Sequence, residues 1–239
     1  MSMSTKEKKQ YQLSDKEHCL VYLRKIITVA EKIRYNLERY LKSGRETMNE
    51  FKKNNVLFLP HDQYSDMLNM FGHVEAYVLN IFGDAQDSSV SYFKFRRLVE
   101  RLQRKGSLDV ALSPHAHEET RLLNHFNRTR NFQNHIPESI IVSEQDMIAE
   151  GKALPEKEYP IEVYTDEYVS SEMYEDMINS FAKLYECLET LIGMAMRDYE
   201  AILGRSVELK RIHCDEVRGL PYLEVVRRAA KVQGIVPRE

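Results

Sequence analysis

The chain has no tryptophan, only nine glycines and seven prolines in 239 residues, and three cysteines. So little Gly and Pro excludes collagen-like and low-complexity classes. Cys19, Cys187 and Cys214 form no Cys-x-x-Cys pair, and so odd and sparse a set argues against a disulfide framework. Cys19 and Cys187 fall on apolar helical stripes and read as core thiols. No window approaches the ~20 apolar residues of a membrane span. The lysine-rich start, Met1 to Gln10, has no apolar run and does not read as a signal peptide. A cytoplasmic protein with no membrane partner is therefore expected. There is no excess of one charge either: the formal net charge is -3. Any nucleic-acid site must then be a local basic patch. P-loop, G-x-G-x-x-G and G-x-S-x-G patterns are missing, so nucleotide hydrolysis and serine-hydrolase chemistry have no support.

What is present is 43% hydrophobic and 30% charged residues, the profile of a helix-rich globular protein. Ser14 and Glu17 read as a capping box. Cys19, Leu23, Ile26, Ala30, Ile33, Leu37 and Tyr40 then recur in steps of three and four, predicting a helix to about residue 52 with a break near Gly44. Pro60-His61-Asp62 starts a second, mostly apolar helix through Tyr64 to Phe82, and residues 83–89 read as a loop. A third helix is expected from Val90 to Lys105, stopped at Gly106. Ser113 and Pro114 suggest the start of a fourth, which Pro137 must end at about Ile136.

Residues 137–169 carry two further prolines, β-branched runs and many acids. They predict a long irregular excursion with at most short strands. Ser170-Ser171-Glu172 caps a fifth long helix, with Met177, Phe181, Leu184, Leu188, Leu191 and Ala195 as its seam and Gly204 as its stop. A short strand at Val207–Ile212 and a short helix from Tyr222 to Val232 complete the reading. The fold class is all-α: a bundle of about five main helices. The expected organisation is a tail at 1–13, a helical domain at 14–203 and an extension at 204–239. The long seams of the first and fifth helices suggest apolar surface for a homodimer.

The chemistry concentrates in Arg128-Thr129-Arg130-Asn131-Phe132-Gln133-Asn134-His135. At 100° per residue, Leu122, Phe126, Thr129 and Ile136 share one face of the fourth helix. Asn124, Arg128, Asn131 and His135 line the opposite one. Arginine offers a permanent fork of donors to phosphate, histidine gains and loses protons near neutrality, and asparagine orients either. RNA is cut by its own 2′-hydroxyl when a base takes the proton, a cation meets the phosphorane and an acid protonates the leaving oxygen. No metal or cofactor is needed.

Arg130, Asn131 and His135 resemble the Arg-polar-x-x-x-His signature of HEPN domains, all-helical folds that include metal-independent ribonucleases. The family spacing tolerates Arg128 in place of Arg130. The resemblance implies a catalytic set of Arg130, Asn131 and His135, with Arg128 and Asn124 supporting. It further implies two motifs meeting across a homodimer, products with 2′,3′-cyclic phosphate and 5′-hydroxyl ends, and a place in toxin–antitoxin or antiviral systems with an antitoxin-like partner. No tyrosine stands two residues after His135, unlike some toxin members. The alternative is a non-catalytic RNA- or protein-binding module, or a solvated face whose His135 sits at a helix C-terminus, where cations are favoured.

Elsewhere, Arg97, Arg101 and Arg104 share a face of the basic third helix and form an expected RNA-binding patch. Tyr92, Phe93 and Phe95 are base-stacking candidates, though core packing is the better account of them. His115, His117, His125 and His135 lack the Cys or carboxylate partners of a zinc site, and no metal is expected.

Overall fold

The computed structural model describes residues 11–133, 138–152 and 167–210. The chain divides into two units, Met1–Ser206 and Val207–Glu239. Of the second, 207–210 are described, and they carry no strand. The rest of that expected strand and the expected helix at 222–232 lie outside the described residues.

The first unit is an all-α bundle. Its elements are α1 (Lys16–Lys53), β1 (Phe58–Pro60), α2 (His61–Gly83), α3 (Tyr92–Arg104), α4 (His117–Gln133), α5 (Glu138–Ala149), β2 (Tyr168–Ser170) and α6 (Ser171–Leu203). The two strands pair antiparallel, with Leu59 opposite Val169. Both of these side chains are buried.

Helix α1 begins one residue later than the sequence suggests. Asp15 is the cap, its carboxylate accepting the His18 N–H at 2.8 Å. The helix runs unbroken through Gly44. That glycine marks a close approach: a Cβ there would run into the side chain of Ile178 on α6. The α1 seam from Cys19 to Leu37 is buried as expected, and Leu41 continues it where Tyr40 is only half-buried. Burial pushes the Cys19 thiol up to about 11, as befits a core cysteine.

The seam of α6 is buried too, at Met177, Phe181, Leu188, Leu191 and Ala195, with Leu184 half-buried. Helices α1 and α6 form the most extensive helix pair of the unit. Their seams are thus spent inside the bundle and do not supply the free dimer surface that the sequence suggested. Helix α2 packs on α1, α3, α4 and α6 and is the centre of the fold. Its Phe71 stacks on Phe181 with ring centroids 4.2 Å apart.

The expected stop of α3 and both expected ends of α6 are present. Gly106 adopts φ 67°, and α3 opens on Ser91, which accepts the Lys94 N–H and was not foreseen as a cap. Ser170 accepts the Met173 N–H, and Gly204 adopts φ 83°. These positive φ values are where glycine is favoured.

Two further expectations fail. Helix α4 starts at His117, not at Ser113, because the Ser113 N–H is taken by Asp198 at 2.9 Å. Glu119 instead accepts the Ala116 N–H at 2.9 Å and opens the helix. Residues 138–149, expected to be irregular, form α5. The β-branched Ile140, Ile141 and Val142 are helical there and exposed.

Candidate functional site

Helix α4 is fixed at its middle and end by the C-terminus of α2. Gly83 is buried with no room for a side chain: a Cβ would lie 2.5 Å from the Phe126 carbonyl oxygen. The Asn127 amide donates to the Gly83 carbonyl at 2.6 Å. One residue on, the Arg130 guanidinium donates from Nη2 to Asp84 Oδ2 at 3.1 Å. Both side chains of this ion pair are buried, 9% and 8% exposed. The other Asp84 oxygen accepts the Gln86 N–H at 2.9 Å, and the Ser91 hydroxyl donates to the Asp84 carbonyl. The Arg130 Nε is buried with no partner among the described residues.

These contacts set the rotation of α4. Its inward face is Leu123, Phe126 and Arg130, with Leu122, Asn127 and Thr129 half-buried. The expected face of Leu122, Phe126 and Thr129 is therefore turned by about one residue, since the polar anchors at Gly83 and Asp84 draw Asn127 and Arg130 inward. Ile136 lies outside the described residues.

Asn124, Arg128 and Asn131 are all exposed, so the polar stripe read from the sequence points to solvent over its described length. Arg130 Nη1 reaches the Asn131 amide oxygen only at 3.5 Å, the limit of a hydrogen bond. His135 lies outside the described residues. The structure therefore places Arg128 and Asn124 together, and Arg130 apart from them and inward.

Beside the stripe is an open recess of about 640 Å³, lined by Glu118, Glu119, Arg121, Leu122, Asn124, His125, Arg128 and Thr190. Its acids are already engaged. Glu118 faces Arg121 at 3.2 Å, and Glu119 is paired with Arg197.

On α3, Arg97, Arg101 and Arg104 are exposed and make no ion pair among the described residues. Arg97 lies over the Phe93 ring, 5.6 Å from its centroid. Arg104 donates to the Glu100 carbonyl of its own helix at 3.3 Å. Tyr92 and Phe95 are fully buried core residues, which removes them as base-stacking groups.

The sequence reading missed a buried polar cluster around Asp198 on α6. This carboxylate is fully buried. It accepts from Arg96 Nη1 at 2.8 and 3.1 Å, from the Tyr92 hydroxyl at 2.7 Å and from the Ser113 N–H at 2.9 Å. The Tyr92 oxygen is also 3.0 Å from His115 Nε2. Since the phenol proton is committed to the carboxylate, His115 Nε2 must be the donor in that contact. Burial, and then the Asp198 carboxylate, push the Tyr92 phenol far above its ordinary value. Burial, and then the Arg96 charge, hold His115 below its ordinary value. The cluster ties α3, α6 and the segment before α4 together. Its signal was available: Leu191, Ala195, Asp198 and Ile202 are one seam, and an aspartate within an apolar seam needs buried partners.

Among the described residues no group of three or more His, Cys, Asp or Glu is placed to hold a metal ion, and no helix is long and apolar enough to cross a membrane. Comparison with family models, with curated proteins and with solved structures finds no match to this chain.

Proposed function

We propose that the protein is a metal-independent endoribonuclease of HEPN type, working as a homodimer, with Arg128 as the phosphate contact. The observation that carries this reading is the exposed line Asn124, Arg128 and Asn131 on α4, with Arg128 bordering an open recess. By sequence, His135 stands seven residues after Arg128.

In this reading His135 takes the 2′-hydroxyl proton. The 2′-oxygen bonds to phosphorus, the bond to the 5′-oxygen breaks, and a second histidine protonates the leaving oxygen. One chain supplies one such histidine, so the acid comes from the motif of a second copy. Arg128 meets the phosphorane charge with a forked set of donors. Asn124 and Asn131 orient the phosphate. Arg130, bound to Asp84, positions the helix end, and this changes the role that the HEPN resemblance implies for it. Arg97, Arg101 and Arg104 hold further phosphates. A cytoplasmic defence role and an antitoxin-like partner follow from the same resemblance.

A second reading, a non-catalytic RNA- or protein-binding module, is favoured by the burial of Arg130 on Asp84, which gives one motif arginine a structural task. Analysis of the cleaved ends separates the two. Incubation with RNA in EDTA should yield 2′,3′-cyclic phosphate and 5′-hydroxyl ends, and the His135→Ala protein should yield none. Binding without new ends would favour the module.

A further inference from the structure

Helix α4 carries a histidine to which the HEPN resemblance gives no task. His125 is exposed and lines the same open recess as Arg128. At 100° per residue, Arg121, Asn124, His125 and Arg128 fall within about 100° of arc, one face of the helix. Thr190 of α6 borders the recess, whose volume is about 640 Å³. Sites for small ligands run from roughly 300 to 1,000 Å³.

Most charges around the recess are already balanced. Glu118 faces Arg121 at 3.2 Å, and Glu119 is paired with Arg197. Arg128 has no ion pair among the described residues, so its charge is left in excess. Asn124 and His125 likewise have no hydrogen-bond partner among the described residues. An asparagine amide has two donor hydrogens, an imidazole at least one and a guanidinium five. Such donors around one uncompensated cation suit a phosphate, whose oxygens only accept.

Thr190 has the opposite preference. Its hydroxyl donates to the Glu186 carbonyl at 3.1 Å, so its oxygen is left as an acceptor. A phosphodiester gives that oxygen nothing to accept, whereas a sugar hydroxyl does. RNA carries a 2′-hydroxyl and DNA does not. The donors on α4 and the acceptor on α6 thus match two neighbouring groups of one RNA strand.

We propose that the recess holds one ribose-phosphate unit of an RNA strand, with Asn124, His125 and Arg128 on the phosphate and the Thr190 oxygen on a ribose 2′-hydroxyl. The proposal rests on the ribonuclease reading only in that the strand is cut there. The hydroxyl that attacks phosphorus must be free for its base, so Thr190 takes that of the nucleoside on the leaving 5′-oxygen. His125 is therefore a binding residue, and Thr190 sets a preference for RNA over DNA.

The test is fluorescence anisotropy of two labelled single strands of one sequence, RNA and 2′-deoxy, in EDTA. Binding is measured in the His135→Ala protein, so that the proposed cleavage does not consume the probe, and wild-type cleavage is scored alongside. RNA should bind roughly three- to tenfold tighter than its deoxy counterpart, the worth of one hydrogen bond. Adding Thr190→Val should abolish that preference and leave deoxy binding unchanged. Adding His125→Ala should instead weaken both strands alike, by roughly three- to tenfold. Both variants should melt as their parent does in circular dichroism, since the two side chains are exposed. Equal affinity for the two strands, a preference that survives Thr190→Val, or binding indifferent to His125→Ala would overturn the proposal. If these contrasts appear while folded wild type leaves RNA uncut, the recess stands and the ribonuclease reading falls. If wild type cuts RNA while the contrasts fail, the recess alone is refuted.

Discussion

Asp84→Ala removes the only carboxylate facing the buried Arg130 guanidinium among the described residues. Both side chains of the pair are less than 10% exposed, so the stranded charge finds no water without moving α4. Breaking a buried pair from one side costs about 3–5 kcal/mol. Asp84 also accepts the Gln86 N–H, and that bond adds about 0.5–1.5 kcal/mol. In a domain of this size each kcal/mol lowers Tm by roughly 2–4 °C, so a fall of about 7–26 °C is expected. Arg130→Met alone should cost less, because Asp84 keeps its Gln86 donor. The double variant should recover much of the loss, since it leaves no charge buried. Urea unfolding followed by circular dichroism gives the four free energies of the cycle. An Asp84→Ala cost below about 1 kcal/mol, or strict additivity in the double variant, would refute the claim that this pair anchors α4.

Other expectations follow from the same geometry. Gly83→Ala should destabilise by about 2 kcal/mol or more, because its Cβ would meet the rigid Phe126 backbone at 2.5 Å. Gly44→Ala should cost less, because the flexible end of Ile178 can move aside; parallel melts compare the two. The folded His115 value lies below the ordinary 6.5, so on acidification the unfolded chain takes up the proton first. The stability this contributes is complete above about pH 6.5 and is lost as pH falls towards the folded value. His115→Gln should remove that part of the slope of Tm against pH. Changing Arg97, Arg101 and Arg104 together to glutamine should flatten the salt dependence of RNA binding by about two units of log–log slope, with no change in melting.

Much of the fold was legible because it rests on local chemistry. Ser170, Gly106 and Gly204 act through their own backbone and the first or last helical turn, and all three do what their types suggest. The seams of α1 and α6 were readable because apolar period and burial coincide. The misreadings have tertiary causes. Gly44 looked like a break, but its missing Cβ is used by Ile178 on a helix 134 positions away in sequence. Ser113 looked like a cap, but Asp198 claims its N–H. The Ile140–Val142 run has strand propensity, which is weak where neighbours decide.

The site was legible in part. The solvent side of Asn124, Arg128 and Asn131 follows from helical period alone. That Arg130 turns inward does not, because an arginine is ordinarily exposed and only Asp84, on another helix's C-terminus, gives it a buried partner. The inward turn of Arg130 is thus a product of packing.

The most direct test of the account is RNA cleavage in EDTA by wild type, Arg128→Ala and Arg130→Met, each with its melting temperature. The account expects wild type to cleave. Arg128→Ala should melt as wild type does, because that side chain is exposed, and yet lose cleavage by about a hundredfold or more, the scale of losing one charge-stabilising donor. Arg130→Met should lose stability first and keep residual cleavage while folded. Cleavage by Arg128→Ala at the wild-type rate, or abolished only in a stable Arg130→Met, would contradict the assignment of the phosphate contact. No cleavage by folded wild type would contradict the activity itself.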